Sequence, residues 1–308
     1  MNIQKEFEIL VLLKSLLNNW IKILFITLLF FFFSIFYSLN IPNTYKASAV
    51  VVPNPDSFRD DSNNFSLSSN PLLKAFSPSG INSETSKTQI GYEILTSRDF
   101  LQSFISDRKI LPNLIAVRNW DIKKDLPEYD NEIYNSKTKN FLIEKVKGKP
   151  LKEEGYKVFK DNLTIGKDGD KSALFSITFV SQSPSYSKKI VDWLIEDINK
   201  YLSLRDKKKA EEMIESLNNE LSNIKDIVTR EAIYALSAKE TRKRSLSKIG
   251  EDYFLMTIDK AFVPYERFSP KRTNLVIIYT LFGFFLSCLF FISIEMIKIF
   301  IKEKKFKL

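Results

Sequence analysis

The chain has no histidine and one cysteine in its 308 residues. Without histidine there is no imidazole general base and no imidazole-ligated metal. With Cys288 alone there is neither a disulfide within the chain nor a cysteine-rich zinc site. Cys288 also lies inside an apolar run, so cysteine usage says nothing about the redox compartment. Helix breakers are sparse over one long stretch. No proline stands between Pro184 and Pro264, and no glycine between Gly169 and Gly250. A strong excess of one charge is missing too. Lysine and arginine total 46 against 37 acidic residues, and the stretch from Asn40 to Thr273 holds 38 basic and 33 acidic residues. So mild a balance carries no nucleic-acid footprint, and no nucleic-acid partner is expected.

Long apolar runs are present, one near each end. Ile23 to Leu39 is 17 residues without a charge, and Leu275 to Ile294 is 20. A helix rising about 1.5 Å per residue needs ~20 apolar residues to cross the hydrocarbon core. The second run meets this outright. The first does so once Ile21 and Lys22 join it, the lysine reaching back to the headgroups. Lys298, Lys302, Lys304, Lys305 and Lys307 follow the second run, and basic residues beside a span stay on the cytoplasmic side. A cleaved signal peptide competes for the first run, and Ala47-Ser48-Ala49 resembles a cleavage site. The polar arm before the run is too long, however, and that site lies well past it.

The resulting fold class is a membrane-anchored α/β protein. Two transmembrane helices flank an extracytoplasmic α/β base domain from which a long helix protrudes. Residues 1–20 read as a cytoplasmic amphipathic segment, with Phe7, Leu10, Leu13, Leu16 and Leu17 at helical spacing. Residues 21–39 read as the first transmembrane helix, 40–273 as the extracytoplasmic domain, 274–294 as the second transmembrane helix and 295–308 as a basic cytoplasmic tail. Both termini are then cytoplasmic.

Within the domain, Tyr45 to Val52 reads as a strand, and Pro53 to Ser83, rich in Pro, Ser and Asn, as a mobile loop. Thr88 to Arg108 reads as a helix with Ile90, Ile94, Leu95, Phe100, Leu101, Phe104 and Ile105 on its apolar face. A further helix is expected near Tyr134 to Val146. Strands are expected over Tyr156 to Ile165, Ser172 to Val180 and Tyr253 to Val263. Gly166-Lys167-Asp168-Gly169-Asp170 has hairpin-turn chemistry. A calcium loop is the sharper reading of that turn, but the spaced acidic ligands and distal glutamate are missing.

The largest expected element starts at Pro184, with Ser183 as N-cap. Ile190, Val191, Leu194, Ile198, Tyr201 and Leu202 recur at helical spacing, and Ile214, Leu217, Leu221, Ile224 and Val228 follow at coiled-coil seam spacing. A helix over about 184–249 would be about 100 Å long. Its seam must find another part of the chain or another subunit.

Residues that could carry chemistry have ordinary readings. Glu153-Glu154 and Glu211-Glu212 are acidic pairs such as glycosidases use, but they fall in a polar turn and on a charged helical stretch. The basic run Lys239 to Lys248 could meet acidic glycan or lipid phosphate, although a solvated helix end explains it. Trp20 sits where an interfacial anchor is expected, Trp193 lies on the apolar side of a helix, and neither these nor Trp120 requires a sugar to stack on. Gly283 and Ser287 form a small-xxx-small pair suited to helix packing. No catalytic residue, cofactor or metal site emerges.

Several segments, in order, resemble the Wzz family, the polysaccharide co-polymerases or chain-length determinants of bacterial surface glycans. IPNTYKASAVVVP is similar to that family's entry strand after the first span. EILTSRDFLQSFI resembles its helix with a Ser-Arg-aromatic step, and SITFVSQSPSYSKKIVDWLIEDINKYL its strand and long helix. DYFLMTIDKAFVPYERFSPKR resembles its juxtamembrane signature, in which prolines spaced by three precede a basic pair. Pro264 and Pro270 fit that signature, while Arg267 holds the middle place. The resemblance implies a periplasmic base domain on the bacterial inner membrane and subunits ringed around a cavity as a homo-oligomer. It also implies work beside a membrane glycan polymerase on lipid-linked polysaccharide, in contact with membrane lipid. Pro264, Pro270, Lys271 and Arg272 would couple the base domain to the second span. Only about 14 residues follow that span and no phosphate-binding glycine loop is present, which implies the kinase-free type or one served by a separate kinase. The alternative is a membrane-anchored coiled-coil scaffold or sensor with no glycan role.

Overall fold

The computed structural model describes residues 16–54, 91–167, 174–222, 224–247 and 252–306, with side chains to Lys298. They form two compact units: Tyr45–Glu266, and the two terminal stretches Met1–Thr44 and Arg267–Leu308. The amphipathic segment expected over residues 1–20, the loop at 53–83 and the turn at 166–170 lie largely outside the described residues.

In chain order the elements are α1 (Trp20–Asn40), β1 (Tyr45–Pro53), α2 (Arg98–Asp107), α3 (Leu111–Ile115), β2 (Val117–Asp121), β3 (Leu126–Tyr129), β4 (Tyr134–Asn135), β5 (Asn140–Phe141), β6 (Lys145–Val146) and β7 (Lys149–Pro150). They continue with α4 (Leu151–Asn162), β8 (Leu163–Lys167), β9 (Phe175–Ser181), α5 (Pro184–Leu221), α6 (Ile227–Leu246), β10 (Leu255–Asp259) and α7 (Arg272–Phe306).

The centre of the larger unit is a four-stranded antiparallel sheet in the order β10-β1-β9-β8. Alternation along β1 sends Ala47, Ala49 and Val51 to one face, where register places them beside Phe179, Ile177 and Phe175 of β9. The first half of α5 packs on this face with Ile190, Val191, Leu194 and Ile198 fully buried. Burial of each such side chain is worth about 1.5–3 kcal/mol. Phe159 of α4 fills the other end of the core, 5.0 Å from the Phe179 ring and 5.5 Å from that of Phe104 on α2.

α5 begins where the sequence places it. Ser183 is its N-cap, the hydroxyl accepting from the Tyr186 N–H at 3.1 Å, and Pro184 is its first residue. It ends far earlier than expected. The helix stops at Leu221, where the Ser222 hydroxyl bonds back to the Asn219 carbonyl. Asp226 then caps α6 by accepting from the Thr229 N–H at 2.8 Å. Side chains that compete for backbone groups favour ends over interiors. α6 returns along α5, and the Ser203 hydroxyl donates to the Ser247 carbonyl at 2.6 Å. One long helix is thus replaced by a helical hairpin.

Four other elements differ from expectation. The helix over Thr88 to Arg108 is interrupted at Ser97, whose extended backbone and hydroxyl cap α2. Tyr134 to Val146 is not helical. The Asn135 carboxamide oxygen accepts from the Lys137 and Thr138 N–H groups, and Lys139 takes φ 56°, which closes a hairpin between β4 and β5. Tyr156 to Asn162 is helix rather than strand, because Gly155 and Phe159, four apart, share the buried face of α4. Only Leu163–Lys167 is extended there. β10 is likewise shorter than the strand read over Tyr253 to Val263.

In the smaller unit α1 and α7 pack on each other. Both are long and apolar enough to cross a membrane. Most of their large apolar side chains, such as Phe32, Phe36, Phe285 and Leu289, are exposed. A core helix of a globular domain would bury them.

Candidate functional site

The residues expected to couple base and span occupy the return from β10 to α7. Pro264 and Pro270 are both buried, and the Ser269–Pro270 peptide bond is cis. Arg267 and Lys271 are exposed. Within the smaller unit, residues 43–44 and 268–272 are tied together. The Thr44 N–H donates to the Ser269 carbonyl at 2.8 Å, the Phe268 N–H donates to the Thr44 carbonyl at 2.8 Å, and Arg272 Nη2 reaches Asn43 Oδ1 at 3.1 Å. The chain before β1 and the chain approaching α7 are therefore pinned side by side, so Pro270 sits in a braced segment rather than a free linker.

Gly283 and Ser287 lie where α1 meets α7. A Cβ at Gly283 would stand 2.5 Å from both Cβ and Cγ of Phe30, so only glycine permits this approach. Ser34, Ser38 and Ser287 are buried beside it. The hydroxyls of Ser34 and Ser287 bond to carbonyls of their own helices, Phe31 and Phe284, leaving dispersion as the main tie between helices.

The seam residues do not form one stripe. Ile214, Leu217 and Leu221 are half-buried on α5, Ile224 is half-buried in the connection, and Val228, in the first turn of α6, is 39% exposed. α6 runs alongside α5 in the same chain.

Elsewhere the polar groups that could carry chemistry have structural neighbours or lie exposed. Glu154 is buried in the first turn of α4, not in a turn between elements, with Lys147 Nζ at 3.7 Å. Glu153, Glu211 and Glu212 are exposed. Asp125 on the β2–β3 hairpin accepts from Ser183 and Ser185 hydroxyls at 2.7 Å and from Trp120 Nε1 at 3.0 Å. Burial pushes its carboxyl up, but these bonds and the Lys189 charge outweigh that and hold it below the ordinary carboxylate value. Both serine hydroxyls donate to this carboxylate, which ties the β2–β3 hairpin to the N-terminus of α5. Trp193 is flanked by the Arg108 guanidinium at 4.9 Å and Lys189 Nζ at 4.7 Å, which leaves no bare ring for a sugar. Arg108 also forks onto Asp197 at 2.6 and 2.9 Å and reaches Glu196 at 2.7 Å. The Asp197 hydrogen bonds, set against burial, raise its pKa. Among the described residues no three His, Cys, Asp or Glu side chains converge to hold a metal.

Sequence reasoning missed Asn199, which is buried in the apolar face of α5 and bonds backbone groups of Phe254 and Leu255 where the chain enters β10. The available signal was a carboxamide between Ile198 and Leu202, in a face otherwise read as apolar.

No curated protein matches the chain. Among solved structures, a full-length bacterial polysaccharide co-polymerase is similar at 11% identity, over 93% of this chain and 97% of the other, with a TM-score of 0.39. A fragment of WzzB, a polysaccharide co-polymerase from Salmonella Typhimurium, is similar at 13% identity, over 74% of this chain and 100% of the other, with a TM-score of 0.28. Residues 5–108, which run through α1, β1 and α2, match the family model of Wzz, the chain length determinant proteins.

Proposed function

We propose that this chain is a non-enzymatic regulator of surface polysaccharide chain length, of the O-antigen or capsule-like kind. The observation that carries the reading is the Wzz family match over residues 5–108 in a chain whose two apolar helices bracket one α/β unit. In this reading α1 and α7 cross the bacterial inner membrane, both termini are cytoplasmic, and the unit Tyr45–Glu266 stands in the periplasm. The chain works as a homo-oligomer beside a membrane glycan polymerase and its lipid-linked polysaccharide. Chemistry stays with the polymerase. This chain acts by holding the polymerase or the growing glycan, which alters the ratio of extension to release. Pro264, Pro270, Lys271 and Arg272 are proposed to transmit that hold to the second span.

Deleting the chain should change the distribution of glycan lengths without abolishing glycan synthesis, read as the ladder of surface polysaccharide on a gel. Replacing Pro264 and Pro270 with alanine should broaden or shift the ladder while the protein stays in the membrane. A deletion strain whose ladder equals its parent's would remove the chain-length reading.

A further inference from the structure

Three polar side chains on α5 reach one segment of the chain. Asn199, only 1% exposed, stands in the face that carries Leu194, Ile198 and Leu202. Its Oδ1 accepts from the Phe254 and Leu255 N–H groups at 2.9 and 2.7 Å, and its Nδ2 donates to the Leu255 carbonyl at 2.9 Å. One turn later the Ser203 hydroxyl meets the Ser247 carbonyl at 2.6 Å. Less than one further turn on, Asp206 Oδ2 accepts from the Tyr253 hydroxyl at 3.0 Å. Positions 199, 203 and 206 share one helix face. The partners named here lie between the end of α6 and the start of β10, and Asp206 is held as well by its neighbour Arg205 at 3.4 Å. Among the described residues β10 is an edge strand paired with β1 alone, and its last residue is eleven before Pro270. A buried carboxamide that binds three backbone groups fixes position as well as distance, because loss of any one leaves a polar group without solvent.

We infer that Asn199, Ser203 and Asp206 form a latch that makes the α5–α6 hairpin and β10 move as one body. A displacement of the hairpin is then carried into the chain that leads from β10 through Pro264 and Pro270. The use of this coupling in setting glycan length rests on the function proposed above. The coupling itself does not, so its test reads coupling directly.

The test is amide hydrogen exchange followed by mass spectrometry on the full-length chain in detergent. Ile233, buried on α6, is the site of perturbation. Ile233→Ala should speed exchange over residues 255–259 by roughly threefold or more when Asn199 is present. In the Asn199→Ala background the same change should add less than about 1.5-fold, while peptides from 175–198 stay as they were. Equal increments in the two backgrounds, or no increment with Asn199 in place, would overturn the latch. If Asn199→Ala does not fold, Ser203→Ala with Tyr253→Phe removes two hydroxyls and leaves the core. That pair should cut the increment by about half, and an unchanged increment again overturns the inference. An unaltered glycan ladder on deletion would sink the chain-length reading and leave the latch standing, whereas equal increments would do the reverse.

Discussion

The two halves of α5 are one continuous helix with different neighbours. From Tyr186 to Ser203 the helix buries ten residues against the sheet and the return to β10. From Leu204 to Leu221 it buries only Ala210 and is accompanied by α6. Both halves have apolar residues at helical spacing, so spacing alone does not distinguish them. What differs is the partner: a sheet offers a broad apolar face, whereas a single returning helix covers one stripe and leaves the rest of the circumference open. The first half is built as core and the second as surface.

The largest expected effect separates these halves directly. Leu194→Ala should cost about 2–5 kcal/mol of unfolding free energy, the range for truncating a fully packed leucine. Leu217→Ala should cost about 1 kcal/mol or less, since that side chain is only partly buried. Thermal or denaturant unfolding of the detergent-solubilised chain measures both. Comparable losses would mean that the distal half is as well packed as the proximal one.

A second change sharpens the comparison by testing whether the open face has a partner. Replacing Leu221 and Val228 together with aspartate places charge on the half-buried tip of the hairpin, where covering it would be costly. In the proposed assembly the particle should become smaller by light scattering. An unchanged mass would mean that α6 is all the cover the distal half requires.

The smallest expected effect concerns the proximal end, where Asp125 is linked to the α5 N-terminus. Its folded pKa lies below the ordinary value, so its contribution is complete above about pH 4 and is lost as pH falls through the folded value. Asp125 is itself exposed, and solvent screening keeps the contribution small. The difference in melting temperature between the natural chain and Asp125→Asn should therefore be present at neutral pH and vanish in strong acid. A difference that persists in acid would assign the effect to packing of the hairpin rather than to the carboxylate.

Much of this was legible in the chain. Uninterrupted apolar composition marked α1 and α7, because length and the lack of charge are properties of the run itself. Alternation marked β1, and a serine before proline marked the start of α5, since caps are local chemistry. The ends were less legible. Whether α5 continued past Leu221 depended on Ser222 and Asp226 competing for backbone groups, a small local preference that tertiary contact with α6 completes. Residues 156–162 became helix because the core accepts Phe159 and Gly155 from one face, which no alternation count reveals. The braced return at Thr44 and Ser269 and the Asn199 latch join residues far apart in sequence, and only folding brings such partners within hydrogen-bond distance. The sequence by itself determined which segments are apolar, where local caps and turns lie, and which chemistry histidine and paired cysteines cannot supply. The tertiary structure decided where the long helix turns, which seam residues are covered, and which polar side chains tie the last strand to it, because burial and long-range hydrogen bonds exist only once the chain has closed on itself.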